Sequence, residues 1–235
     1  MTGYRRPILP ELDYRDEHGE PIPYGSRWHG GSPPEDAYSR TSNLDRFEPL
    51  HSIATALIAW LQETFDVDIL DDVEAASDMR LDPGEATRTV RLMPRCPDAA
   101  PLTFVLTAYP GTYLHAGVLH DFSFPVCACD ACDEDVAGLA EELEWTVRMV
   151  VSGGYSEHVD SFSRWIEYRV EEPGVGMRSG RSRANDLPSE RLRAAKKRLP
   201  KGGRWVPWPV QRRQRGGPGT FIARPRAPHP PTSSR

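Results

Sequence analysis

The chain has 235 residues, of which 38 % are hydrophobic and 27 % charged, and its net charge is −5. This length supports one sizeable hydrophobic core with appended tails. No apolar run approaches the roughly 20 residues that a transmembrane helix requires, and the first ten residues lack the apolar stretch of a secretory signal. Three of the four cysteines fall within six residues, unlike a secreted disulfide framework. We therefore expect a cytoplasmic protein without membrane contact.

The net charge conceals a division between the two parts of the chain. Residues 1–177 carry a net charge of −19, whereas residues 178–235 carry +14. An arginine-rich segment attracts phosphate by neutralising its charge, so the basic part is a candidate for nucleic-acid binding. The acidic part would repel a nucleic-acid backbone, which favours contact between the two parts or plain solvation of the basic segment.

The predicted elements begin after an N-terminal arm, residues 1–40. This arm is rich in proline, glycine and charge, and we expect it to be extended and to dock only through Tyr4, Ile8, Leu9, Tyr24 or Trp28. From Asn43 onward, apolar residues recur at spacings of three and four, which predicts an amphipathic helix capped by Ser42 or Asn43. Its apolar stripe consists of Leu44, Phe47, Leu50, Ala54, Leu57, Ile58, Leu61 and Phe65.

Short strand-like segments follow the first helix, at residues 67–70, 87–93, 102–107 and 113–119. The last two are separated by Tyr109-Pro-Gly, and proline followed by glycine is typical of the centre of a type II turn. This spacing predicts an antiparallel hairpin.

A second helix is predicted from about Asp133 to Ser152, because apolar residues again recur at helical spacing and Gly153-Gly154 supplies a C-terminal stop. Residues 165–170 alternate as one further strand. The order of helix, strands, helix and strand predicts an α+β two-layer sandwich, with an antiparallel sheet of four to five strands and two main helices on one face.

The predicted domain spans residues 41–185 and is followed by a basic tail, residues 186–235. Ser189 to Leu199 forms a short basic helix in this prediction. Beyond Pro200 the chain is dominated by proline, glycine and arginine, so we expect it to be largely disordered.

The most chemically informative feature is the cluster Cys127-Ala-Cys129-Asp-Ala-Cys132, which joins a strand to the second helix. A tight turn followed by a helical turn brings three thiols at this spacing together. Zinc takes about four tetrahedral sulfur or nitrogen ligands, so the cluster predicts a structural zinc site. We expect His120, the nearest imidazole, as the fourth ligand. The remaining candidates are His115, Cys96, Asp130 and water.

Two alternatives to the metal site remain open. Cys129 and Cys132 form a C-x-x-C pair before a helix, and a helix N-terminus lowers the pKa of a nearby thiol, which is typical of redox or catalytic cysteines. The flanking acids Asp130, Asp133 and Glu134 oppose a free thiolate, however, and suit a bound cation. The second alternative is a set of reduced thiols without a ligand.

The phrase Phe-Pro-Val-Cys-Ala-Cys-Asp-Ala-Cys-Asp-Glu at residues 124–134 carries a resemblance, together with Arg46-Phe-Glu-Pro-Leu-His51 at the first helix. Both resemble an uncharacterised family of actinobacterial proteins of unknown function. The similarity extends over about residues 38–170 and leaves out the basic tail. It implies the domain limits and transfers no activity.

The sequence contains no nucleophile elbow, phosphate-binding loop or zincin motif in a fitting context, so nothing in it supports an enzyme. Trp145 and Met149 lie four residues apart on the second helix, opposite its core stripe, and form a candidate surface for a protein partner. The segment Trp205-Val-Pro-Trp208 is an alternative cover for that surface within the same chain.

Overall fold

The computed structural model describes residues 3–160 and 164–211. Its main sheet is an antiparallel meander of five strands in sequence order: β1 (Val67–Asp71), β2 (Ala86–Pro94), β3 (Leu102–Thr107), β4 (Thr112–Ala116) and β5 (His120–Phe124). The predicted α+β class is confirmed. No helix in the described ranges is long and apolar enough to cross a bilayer.

The hairpin predicted at the Pro110-Gly111 turn joins β3 to β4, with Phe104 opposite Leu114. β3 is buried along its whole length, because it is the central strand of the sheet and is covered on both faces. β5 is an additional strand that the sequence prediction omitted. It pairs Phe122 with Leu114 and leads directly into the cysteine cluster.

Two long helices pack against each other and contribute to one continuous core with the sheet: α1 (Pro49–Thr64) and α2 (Val136–Val151). α1 starts later than predicted, because a separate 3₁₀ turn (Leu44–Phe47) comes first and Pro49 opens the α-helix. Neither Ser42 nor Asn43 therefore caps α1. α2 is capped by Asp135, whose carboxylate accepts a hydrogen bond from the Gly138 amide.

A second, three-stranded antiparallel sheet follows α2. It consists of β6 (Tyr155–Val159), β7 (Trp165–Glu172) and β8 (Gly176–Arg183). The sequence prediction placed the strand at residues 165–170 in the main sheet and had no β6 or β8. β8 gave no signal because it contains only one large apolar residue, Met177, and lies at the sheet edge.

The short basic helix α3 (Ser189–Arg198) matches the predicted one. The chain does not become disordered at Pro200, however, since Trp205 and Trp208 are almost completely buried in the core. The Trp208 indole donates to the Ala100 carbonyl and its ring packs edge-on against Phe65. We call residues 203–211 the C-terminal strap. Residues 212–235, to which the disorder prediction also applied, lie outside the described residues.

The N-terminal arm docks on the domain at several points, and two of its predicted anchors do so most clearly. Tyr4 packs edge-on against Trp60 and donates a hydrogen bond to Glu144. Trp28 donates from its indole to the Asp130 carbonyl. Ile8, by contrast, is 96 % exposed. The arm therefore contacts the two helices through Tyr4 and the cysteine cluster through Trp28.

Candidate metal centre

The three clustered sulfurs converge. Cys127 Sγ lies 3.2 Å from Cys129 Sγ, which lies 3.4 Å from Cys132 Sγ, and all three are within 4.8 Å of one another. A Zn–S distance of about 2.3 Å in a tetrahedron gives sulfur–sulfur separations of about 3.8 Å. None of the four cysteines of the chain is in a disulfide. The arrangement is therefore close to that of three ligands around one ion.

A compact turn produces this convergence. The Cys132 amide donates to the Cys129 carbonyl, which folds the C-x-x-C segment back on itself. Glu134 holds the start of the loop in place, because its two carboxylate oxygens accept hydrogen bonds from the Val126 and Cys127 amides at 2.9 and 3.0 Å. We call residues 125–135 the cysteine loop. It follows a cis peptide bond at Phe124–Pro125 and ends at the cap of α2.

Asp130 fastens the loop to the segment that precedes α1. Its buried carboxylate accepts hydrogen bonds from the Ser42 amide at 2.9 Å and the Ser42 hydroxyl at 2.8 Å. The Asp130 amide in turn donates to the Arg40 carbonyl, and the Ala131 amide donates to the Ala37 carbonyl. Burial acts to raise the pKa of Asp130, but the two Ser42 bonds and the charge of Arg27 hold it below its ordinary value.

Asp133 provides the second attachment to the arm. Its backbone takes a positive φ of 51°, its carbonyl accepts from the Gly25 amide, and its carboxylate accepts from the Arg27 amide at 2.7 Å. The Arg27 guanidinium lies 3.6 Å from Asp130 and 3.9 Å from Asp133. Arg27 thus offsets two of the loop's carboxylates, which would otherwise repel thiolates.

The three thiols differ in burial and in proton affinity. Cys129 is buried, whereas Cys127 and Cys132 are exposed. The hydrogen bond with the Cys127 thiol lowers the pKa of Cys129, while the hydrogen bond with Cys129, together with burial, raises the pKa of Cys132 to about 12. The sulfurs therefore share protons among themselves, and a cation at their centre would replace those protons.

His120, the predicted fourth ligand, lies outside the group of three sulfurs. It begins β5, whereas the cysteine loop follows the other end of that strand. Its ring stacks on Tyr168 with 3.6 Å between centroids and meets Phe122 edge-on. Burial lowers the pKa of His120 to about 3, so the ring is neutral and fills an aromatic cluster between the two sheets.

The other predicted candidates also have different surroundings. The His115 ring nitrogen Nδ1 lies 2.5 Å from the buried Asp121 carboxylate, and Cys96 lines a cleft beside Lys197 and Arg198. The Asp130 carboxylate faces Ser42. Among the described residues, the only group of three or more potential metal ligands is therefore the three cysteines themselves.

The contribution of the arm is what the sequence reasoning missed. Arg27, Arg40 and Ser42 lie about 90 to 100 residues before the cysteines, and no local pattern connects them. The only available signal was the surplus of acids beside the cysteines, since buried carboxylates require cationic or hydrogen-bonding partners.

The predicted partner surface on α2 differs from the expectation. Met149 is buried, because Gly154 closes the helix end over it. Trp145 is half-buried and donates from its indole to Glu172. These residues therefore do not form an exposed pair.

Comparison with known proteins identifies a family for this chain but no activity. Neither the curated proteins nor the solved structures contain a match to this chain. A family model, that of a family of unknown function, matches residues 10–212. The match is wider than the predicted resemblance over residues 38–170 and includes the arm from residue 10 onward and the C-terminal strap. The chain therefore belongs to the family of unknown function DUF6226.

Proposed function

We propose that this protein is a non-enzymatic, cytoplasmic domain that holds one zinc ion at Cys127, Cys129 and Cys132. The observation that carries the proposal is the convergence of three reduced sulfurs within 4.8 Å. Thiolates are preferred zinc ligands, and reduced cysteines are the rule in the cytoplasm.

The charge balance at the site supports a dication. Three thiolates around Zn²⁺ give a complex with a charge of −1, whereas three thiolates alone would place −3 beside Asp130, Asp133 and Glu134. Arg27 and Arg40 lie within 4.0 Å of the Asp130 carboxylate, and they offset part of the remaining negative charge. The zinc ion would thus reduce the electrostatic repulsion between the thiolates and the carboxylates of the loop.

We assign the fourth coordination position to solvent or to a donor from another molecule. His120, His115 and Asp130 are each engaged elsewhere, and Cys127 and Cys132 face the solvent. Three protein ligands with one exchangeable position are typical of catalytic zinc, whereas structural zinc usually has four protein ligands. A structural role for this site therefore calls for a fourth donor from a partner. In this proposal the exposed position is where a protein partner would contact the metal.

The role that fits this site best is structural. The ion would fix the conformation of the cysteine loop between β5 and α2. The loop in turn places Asp130 and Asp133 where they contact the arm. Metal binding would therefore order the cysteine loop and the arm together, because both depend on the same short segment.

Zinc content of the purified protein tests the proposal. We expect about one zinc per chain when the protein is purified without chelator, because structural sites stay filled. The triple variant C127S/C129S/C132S should retain almost none, and Cys96→Ser, at the remaining cysteine, should bind as the wild type does. Less than about 0.2 zinc per wild-type chain, under conditions in which a known zinc protein stays loaded, would refute the proposal.

A thiol-based redox function is the second candidate, favoured by the 3.4 Å approach of Cys129 and Cys132 and by the lowered pKa of Cys129. It predicts fast alkylation of Cys129 near neutral pH in metal-free protein. Slow alkylation of all three thiols in that protein would eliminate it, whereas the zinc proposal does not depend on the rate.

A further inference from the structure

The second sheet presents an outer face that carries three arginines, two glutamates and a tryptophan. Along β7 and β8, the residues that alternate away from the core include Trp165, Arg169, Arg181 and Arg183, and on β6 they include His158. Glu167 and Glu171 share this face. Arg169 forms an ion pair with Glu171 at 2.9 Å. The guanidinium groups of Arg181 and Arg183 instead lie over the ring of Trp165.

Two guanidinium groups lie over the ring of Trp165. Arg181 lies 4.7 Å and Arg183 5.4 Å from the centroid of its ring, and Arg183 is the direct cross-strand neighbour of Trp165. These cation–π contacts fix the orientation of the ring and place two positive charges beside it. A base that stacks on Trp165 would replace a guanidinium group over the ring, and the displaced cation would then be available to the adjacent phosphate.

Further basic side chains follow β8 in the described chain. Residues 178–211 contain ten basic and two acidic side chains. The chain leaves β8, passes through α3, and returns to the opposite edge of the sheet, where Arg204 bridges to Ser156 of β6. On α3, Arg193, Lys196, Lys197 and Arg198 are exposed, and none of them forms an ion pair within the described residues. Arg204 therefore brings one cation to the β6 edge of the sheet.

The face also contains a depression of about 520 Å³ whose polar lining includes Ser156, His158, Arg169, Ser179 and Arg181. Hydroxyl, imidazole and guanidinium groups are typical contacts of phosphate and sugar. Glu167 lines the depression as well, so the site is not a uniform field of positive charge. The lining side chains thus offer hydrogen-bond donors to a sugar–phosphate backbone, and the Glu167 carboxylate offers an acceptor to a base.

We propose that the outer face of the β6–β8 sheet binds single-stranded nucleic acid, with Trp165 as the stacking platform. The cations on β8, α3 and the strap contact the phosphates. A single strand fits better than a duplex, because a stacking platform acts only on bases that are free of pairing. The acidic remainder of the chain repels the same ligand and so confines it to this face. This activity does not depend on the zinc site.

Fluorescence anisotropy of the full chain with a labelled 12-nucleotide strand tests the proposal. We expect a dissociation constant of about 1–10 µM at low salt and weakening as salt rises. The variant R181E/R183E should bind at least tenfold more weakly, and its salt slope should fall by about 1.4 for two lost phosphate contacts. Trp165→Leu should weaken binding about fivefold or more, since stacking contributes roughly 1–3 kcal/mol per base.

The matched control is R5E/R15E, which makes the same change of charge at two exposed arginines on the arm. It should bind within twofold of the wild type, and all variants should have wild-type circular dichroism. Unchanged binding by R181E/R183E would overturn the proposal, as would an equal loss in the control or the absence of binding at low salt. Equal competition by poly-glutamate would also overturn it, because the face would then recognise an acidic peptide.

Discussion

Asp130 lies between two cysteines in the sequence, yet its carboxylate faces the segment before α1. It binds the amide and hydroxyl of Ser42 and lies near the guanidinium groups of Arg27 and Arg40. A buried carboxylate with such partners stabilises the fold only while it is charged. Asp130 therefore couples the position of the arm to the geometry of the thiols.

The first prediction concerns Asp130→Ala. Loss of the carboxylate leaves the Ser42 amide without its acceptor, and we expect the free energy of unfolding to fall by about 1–3 kcal/mol. Limited proteolysis should cut the arm faster, while Asp36→Ala, at an exposed carboxylate of the same arm, should be near neutral. An unchanged rate of cleavage in Asp130→Ala would show that Asp130 does not hold the arm.

Acid should loosen the arm as well. The pKa of Asp130 is held below its ordinary value of 3.8, so the unfolded chain binds the proton more readily than the folded one. The stabilisation is complete above about pH 5 and is lost as the pH falls through 3.8 towards the folded pKa. In the C127S/C129S/C132S variant, which has no zinc site to lose in acid, arm cleavage by an acid-active protease should accelerate over this window and change little when Asp130→Ala is added. A parallel pH profile for both proteins would contradict this expectation.

A further residue-scale prediction concerns Gly117, in the turn between β4 and β5. Its φ is +66°, and a Cβ there would lie only 2.1 Å from the buried Glu157 carboxylate. That carboxylate accepts hydrogen bonds from the Val118 and Leu119 amides and the Trp205 indole. Gly117→Ala should therefore cost more than the roughly 1 kcal/mol that a positive φ alone imposes on alanine.

Gly174→Ala is the matched control, because Gly174 has a φ of +76° with nothing within 4 Å of the added Cβ. Chemical denaturation should show that Gly117→Ala is at least about 2 kcal/mol less stable than Gly174→Ala, since displaced hydrogen bonds add to the backbone cost. Equal losses in the two variants would mean that Glu157 moves aside freely.

At the scale of elements, the C-terminal strap joins parts of the fold that are far apart in sequence. The Trp205 amide donates to the Tyr155 carbonyl on β6, the Val206 amide to the Asp98 carbonyl, and the Trp208 amide to the Val151 carbonyl at the end of α2. Phe65, at the end of α1, packs on Trp208 at 5.5 Å between centroids. The strap therefore closes the end of the core where the helices and both sheets meet.

Trp208→Ala should destabilise the whole protein. Truncation of a buried tryptophan costs about 3–5 kcal/mol, and here the Ala100 carbonyl also loses its donor. Val210→Ala, at a 65 % exposed strap residue, should change the free energy of unfolding by less than about 0.5 kcal/mol. A loss below about 1 kcal/mol in Trp208→Ala, by urea denaturation, would show that the strap is peripheral.

The elements differ in how far the sequence predicts them. α2 and the β3–β4 hairpin are predictable because their core stripe and turn residues are local signals. β8 is not, since an edge strand with a polar sequence has no apolar alternation to detect. The strap shares proline and glycine with the chain after it, and its two tryptophans and two valines distinguish it. The burial of the tryptophans depends on contacts at Phe65 and Ala100, which no window of sequence contains.

For the candidate site, the sequence predicts that the three sulfurs lie close together. It does not predict the contacts that hold the cysteine loop in place. The spacing of Cys127, Cys129 and Cys132 forces proximity through one turn, so local pattern suffices. His120, the predicted fourth ligand, lies at the start of β5, whereas the loop follows the end of that strand. The arm contacts require the tertiary fold.

At the scale of the whole molecule, the uneven charge of the sequence becomes a spatial arrangement. The ten basic side chains of residues 178–211 lie on β8, on α3 and on the chain up to Arg204, whereas Asp130, Asp133, Glu134 and Asp135 belong to the cysteine loop. The cation site and the proposed nucleic-acid face thus occupy regions of opposite charge. Each region attracts its own ligand and repels the other's, so a divalent cation and a polyanion do not compete.

Zinc K-edge X-ray absorption on the purified protein tests the central claim most directly. Three sulfurs around one zinc predict a first shell of three Zn–S distances of about 2.3 Å and one lighter oxygen or nitrogen neighbour. The C127S/C129S/C132S variant should give no such shell. A shell without sulfur, or one in which Cys96 supplies a sulfur, would contradict a site built by Cys127, Cys129 and Cys132.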